Sequence, residues 1–155
     1  MLFLTQFLKK AFNVYLIVKG KNVANIKKYK KGVKTKITNN FSSTEMDCKC
    51  NDPECKWTYI DVDHIEKLQK MRDKWKCAVK ITSGYRCPKH NASIGSASNS
   101  RHVVGDATDI KVKLVSVDKV ADDCEEADFD GLGKYNSFTH IDSRGFKSRW
   151  DFRKK

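Results

Sequence analysis

The sequence predicts one small α+β domain, a helix packed on a mainly antiparallel sheet, preceded by a basic extension. Three observations carry that prediction. Between Tyr59 and Lys76, apolar residues recur at Ile60, Val62, Ile65, Leu68, Met71 and Trp75, close to the period of a helix with one buried stripe. The segment ATDIKVKLVSV, residues 107–117, alternates apolar and polar positions at Ile110, Val112 and Leu114, as a strand with one buried face does. A length of 155 residues supports one sizeable core but not two comfortable ones.

The chain opens on MLFLTQFLKKAFNVYLIVKG, whose uncharged runs reach eight residues before lysines interrupt them. Such runs are too short to span a bilayer, and no basic region or small-residue cleavage site flanks them as in a secretory signal. An amphipathic helix and then a strand on Val14–Val18 is the plainer expectation, with the route of any export left open. Residues 1–40 carry ten lysines and no acid, whereas the rest of the chain holds 21 basic and 19 acidic residues. The formal charge of +12 therefore belongs mostly to this leader. It reads either as a solvated tail or as a tether for an anionic polymer or membrane surface, and the near-neutral remainder argues against specific nucleic-acid binding. A boundary is expected near Thr38–Ser43, dividing a basic extension, 1–40, from a domain, 41–155.

In FSSTEM, Ser42 or Ser43 is placed to cap a short turn containing Glu45 or Met46. Cys48, Cys50 and Cys55 follow as C-x-C-x4-C. This pattern lacks paired C-x-x-C knuckles, so a zinc knot with Cys77 or Cys87 as fourth ligand, disulfides and free thiols all stay open. The helix at 59–76 turns Glu66, Lys67, Lys70 and Arg72 to water, and His64 is expected at its surface. Ala78–Thr82 reads as a β-branched strand ending in the turn SGYRCP, and 89–99, rich in Ser, Gly, Ala and Asn, as a loop holding His90. The acidic stretch 118–130 has no register that fits a calcium loop and reads as a solvated loop or helix edge. A last strand is expected around Ser137–Asp142, before the basic, aromatic tail KSRWDFRKK.

A hydrolytic zinc needs three protein ligands, drawn from neutral imidazole and carboxylate, and one open position. His102, Asp109 and His140 supply that set if the strand starting at Asp109 and the one ending near His140 are neighbours. Taken alone, His-x6-Asp is equally a turn histidine and a cap aspartate.

The flanking residues change the balance. Ser100, His102, Gly105, Ala107 and Asp109, read as S-x-H-x-x-G-x-A-x-D, resemble the signature of the zinc D-Ala-D-Ala carboxypeptidase and dipeptidase family of peptidoglycan peptidases. That family's relatives include phage endolysins and, by fold, the hedgehog signalling domain. SGYRCPKHNASIGSASNSRH resembles its run before the first zinc ligand, FSSTEMDC the start of its compact members, and GLGKYNSFTHIDSRG the segment that brings the last ligand.

The resemblance implies a hedgehog/DD-peptidase-like α+β fold and one catalytic Zn2+ held by His102, Asp109 and His140. It implies substrate binding by Arg86, whose planar fork can grip a carboxylate or carbonyl, and a place near substrate for Ser100. Where several members carry an acid three residues before the last histidine, this chain has Ser137. Asp142, two residues after His140 and so on the same face of a strand, is the expected general base, or else a carboxylate that orients His140. The implied reaction is hydrolysis of a peptide bond in the peptidoglycan stem, terminal or internal, by a monomer acting on the cell wall. The alternative is an inactive zinc-containing module that binds cell wall or another anionic polymer.

Overall fold

The computed structural model describes residues 18–19 and 22–154. β1 (Val18–Lys19) and β2 (Asn22–Val23) form a short antiparallel ladder. The amphipathic helix expected at the start of the chain lies outside the described residues, as does all but Val18 of the expected first strand. Next, β3 (Ile26–Lys30) pairs antiparallel with β4 (Trp57–Asp61) at every position from Ile26 opposite Asp61 to Lys30 opposite Trp57. The last part of the lysine-rich segment is thus built onto the domain, with Tyr29 packed against the core and Lys28 over the ring of Trp57.

A 3-10 turn, Ser43–Met46, follows the expected chemistry: the Glu45 carboxylate accepts from the Ser42 backbone N–H at 2.7 Å. The helix expected from Tyr59 begins later. Tyr59–Asp61 belong to β4, and α1 spans Val62–Trp75 because the Asp61 side chain caps it, accepting from the Asp63 N–H at 3.2 Å. His64, expected at the surface, is 1% exposed. Its ring nitrogens lie 2.9 Å from Ser143 Oγ and 3.0 Å from Thr108 Oγ1, which is how a buried imidazole is tolerated.

The main sheet comprises β5 (Val79–Ser83), β6 (Ala107–Val112), β7 (Gly131–Lys134), β8 (Thr139–Asp142) and β9 (Ser148–Asp151), in the order β5-β6-β8-β7-β9. All neighbours are antiparallel except β7 and β9. β6 ends at Val112, short of the expected Val117, because Leu114 takes a left-handed φ of 62° and stands free in solvent. α4 (Val117–Glu126) then starts where the Ser116 hydroxyl accepts from the Lys119 N–H at 3.2 Å, so the acidic stretch is helical. The short helices α2 (Pro88–Ser93) and α3 (Arg101–Val104) occupy what reads in the sequence as loop and turn.

One face of the sheet makes the core. Ile81, Ile110, Val112, Leu132 and Ile141 pack with Ile65, Leu68 and Met71 of α1 and with Val120, Cys124 and Phe129. α1 and α4 are also joined by Asp123, whose carboxylate accepts from Trp75 Nε1 at 2.8 Å and from Lys74 and Lys119 at 2.8 and 2.9 Å. Burial pushes this carboxyl up, but those bonds outweigh it and hold it well below the usual carboxylate range.

The folded-state value lies below the unfolded one, so the stabilisation is present above the ordinary carboxylate pKa of about 4 and is lost as pH falls. Asp123→Asn should lower stability at neutral pH by about 1 kcal/mol, since both lysines sit half in water. In denaturant titrations the gap from the parent should close at acid pH; a gap independent of pH would contradict the assignment.

Candidate metal centre

The opposite face of the sheet carries the site. α3 ends on Gly105 at φ +92°, where an added Cβ would also strike the Tyr59 carbonyl, so only glycine can turn the chain there into β6. β6 and β8 are registered with Asp109 opposite His140 and Ala107 opposite Asp142. Residues two apart share a face, which sets Asp109, His140 and Asp142 together while Thr108, Ile110 and Ile141 turn to the core side. α3 brings His102 over the same face.

The three expected ligands meet. His102 Nε2 lies 3.2 Å from His140 Nδ1 and 3.3 Å from Asp109 Oδ1, and His140 Nδ1 lies 2.9 Å from that same oxygen. A tetrahedral zinc with ligand bonds of about 2.0–2.1 Å sets its donor atoms about 3.3 Å apart, so the triangle fits the ion. All three residues are buried, and their donor set of two imidazoles and one carboxylate is that of a hydrolytic zinc with one position left open.

Each ligand is oriented from behind. His102 Nδ1 donates to the Gly84 carbonyl at 2.6 Å, which leaves Nε2 as the lone-pair nitrogen facing the cluster. The outer oxygen of Asp109 accepts from Arg86 at 2.9 Å. Burial raises the Asp109 carboxyl, but hydrogen bonds from His102 and His140 overcome this and keep it ionised far below its ordinary range. For His140, burial favours the neutral ring, and the bonds to Asp109 and Asp142 outweigh it, raising its pKa.

Asp142, expected as general base or else as a carboxylate that orients His140, lies behind the His140 ring. Its Oδ2 meets His140 Nε2 at 3.0 Å, the nitrogen on the far side of the ring from the cluster. The side chain is fully buried, and Arg144 Nε donates to Oδ1 at 2.9 Å while its NH2 donates to Oδ2 at 2.6 Å. A carboxylate so placed fixes the tautomer of His140 so that Nδ1 faces the cluster, and has no hydrogen bond toward the metal side. Gly131 makes room for it, since a Cβ there would run into the Asp142 carboxylate.

The ligands form the floor of an open cleft whose walls include Arg86, Ser100, Arg101, Arg144, Tyr135, Phe138, Trp150 and Phe152. Arg86 and Ser100, expected near substrate, both border this cleft. Arg144 and the aromatic wall are site residues that the motifs do not reveal; the SRG after HID and the aromatic tail are the available signals. Trp150 leans on His140 with ring centroids 5.1 Å apart, and the Arg144 guanidinium lies 5.2 Å from the Trp150 ring. Tyr135 stacks on Phe138, and its hydroxyl accepts from Trp150 Nε1 at 3.2 Å. Among the described residues that line the cleft, Asp109 is the only carboxylate.

A family model described as Peptidase M15 matches residues 39–142, a span containing all three ligands. No curated protein matches the chain.

If Asp142 orients His140, Asp142→Asn should weaken zinc binding about 10-fold or more in competition with a chromogenic chelator. Unchanged zinc affinity would remove it from that role.

Proposed function

Because the chain belongs to the Peptidase M15 family, we propose that it is a zinc-dependent peptidase that hydrolyses a peptide bond in the stem peptide of peptidoglycan, as carboxypeptidase or endopeptidase. The observation that carries this reading is the triangle of buried donors, His102 Nε2, Asp109 Oδ1 and His140 Nδ1, at the floor of an open cleft. A zinc ion bound there supplies Lewis acidity toward a scissile carbonyl and toward water.

The chain's own residues supply the rest. Arg86, Arg101 and Arg144 line the cleft wall, and although each pairs with a buried carboxylate (Asp109, Asp106 and Asp142), their guanidinium groups suit a peptide that bears free carboxylates, as stem peptides do. Arg86 acts in two directions, neutralising the outer oxygen of Asp109 and donating to Ser83 at the end of β5 and to Ser96 on the cleft wall. Tyr135 accepts a bond from Trp150, which leaves its own proton free to be donated to a carbonyl oxygen that gains charge. The aromatic wall of Tyr135, Phe138, Trp150 and Phe152 covers one side of the cleft and reduces water access to the bound peptide. Ser100 borders the substrate path. In this reading the enzyme is a monomer acting on cell wall, and the lysine-rich segment before residue 41 tethers it to an anionic polymer or membrane surface.

A second reading is favoured by one observation, the lack of any carboxylate other than Asp109 among the described cleft-lining residues. Without a base to receive the proton of an attacking water, the domain would hold zinc and bind cell wall without cutting it.

Hydrolysis of purified peptidoglycan and stem peptides by the parent and by His102→Ala, with zinc measured in both, separates these readings. The peptidase account predicts cleavage by the parent and loss of both cleavage and one zinc in the variant. Full zinc content without cleavage by the parent would favour the binding module, and equal cleavage by parent and variant would overturn the zinc mechanism.

A further inference from the structure

A second group of metal-ligating side chains lies outside the cleft. Cys48, Cys50, Cys55 and Cys87 bring their four sulfur atoms within 4.8 Å of one another, and none of them is in a disulfide. We infer that these four cysteines form a structural zinc site, separate from the histidine cluster and independent of whether the chain hydrolyses anything.

The geometry favours a metal over a covalent bridge. Cys48 Sγ and Cys50 Sγ are 3.5 Å apart, and Cys50 Sγ and Cys87 Sγ are 3.8 Å apart. A disulfide brings two sulfurs to about 2.0 Å. A tetrahedral zinc with bonds of about 2.3 Å sets each pair of thiolates about 3.8 Å apart, close to what is found. Four donors fill a tetrahedron and leave no open position, which is the mark of a structural site.

The surroundings suit a thiolate cluster. Backbone N–H groups point at the sulfurs: that of Cys87 lies 3.3 Å from Cys48 Sγ and that of His90 lies 3.4 Å from Cys87 Sγ. Four thiolates around one zinc carry a net charge of −2 and need a nearby cation. Lys31 provides it, its Nζ 3.6 Å from Cys50 Sγ and 2.7 Å from the Cys50 carbonyl oxygen. Lys31 belongs to the lysine-rich segment, so one of its charges has a local use. Of the two possible fourth ligands in the sequence, Cys77 packs against the apolar core instead, and the SGYRCP turn delivers Cys87.

The site would do mechanical work. Cys48, Cys50 and Cys55 sit in the stretch between the 3-10 turn and β4, which carries no other regular element. Cys87 caps α2 and directly follows Arg86, three residues beyond the Gly84 carbonyl that orients His102. A zinc at the four sulfurs pins that stretch to the turn holding both groups. Loading it releases the thiol protons to solvent and involves no redox change.

Elemental analysis of the full chain, purified under reducing conditions with zinc supplied, should find two zinc ions per chain. His102→Ala should keep one and Cys50→Ser should keep the other. Because a cysteine variant can fail to fold, the parent itself gives a second readout: loaded with Co2+, it should show intense thiolate-to-cobalt charge-transfer absorption, which His102→Ala retains. One zinc per chain and no charge-transfer band would overturn the inference, as would a non-reduced intact mass showing these cysteines oxidised in pairs.

Discussion

The cross-strand register that sets Asp109 opposite His140 is the constraint on which the site depends. Side chains alternate faces along a strand, so a slip of one residue between β6 and β8 would send one ligand into the apolar core and bring Ile110 or Ile141 to the cleft. The core enforces the register from the other side, because Ile110 and Ile141 are both fully buried against α1 and α4. Burial of apolar surface on one face thereby fixes the geometry of the candidate metal ligands on the other. His102 joins from a different element, and its placement rests on Gly105 and on the Gly84 carbonyl, both backbone features.

The centre gathers charge in a place water hardly reaches, and that arrangement is tolerable only because every group is answered. Asp109 has Arg86 behind it, and Asp142 has Arg144. A buried carboxylate missing its partner would cost several kcal/mol, so these arginines maintain the fold of the site as well as its chemistry. Trp150 and Tyr135 extend the same network into the cleft wall, which makes the C-terminal strand β9 part of the site rather than an appendage.

Much of this is legible in the sequence, and the exceptions have physical causes. His102, Asp109 and His140 can be read because the segments around them resemble those of a known zinc peptidase family; spacing alone leaves a turn histidine and a cap aspartate open. The choice between the two roles expected for Asp142 cannot be made in the sequence: alternation places a side chain on a face but does not say which nitrogen of a neighbouring imidazole it meets. β7 and β9 are hidden because GLGK and SRWD have little β-branched or alternating apolar content, and their pairing is decided by long-range contacts. α2 and α3 are too short to show a period. His64 misleads because its acidic neighbours suggest solvent, while its polar partners, Ser143 and Thr108, are remote in sequence.

The central claim is that His140 presents Nδ1 to a metal shared with His102 and Asp109 while Asp142 holds its Nε2. Anomalous diffraction at the zinc edge from crystals of the full chain grown with zinc tests it most directly. The account predicts a peak about 2.0–2.2 Å from His102 Nε2, Asp109 Oδ1 and His140 Nδ1. A peak at His140 Nε2 beside Asp142, or none between the three donors, would contradict it.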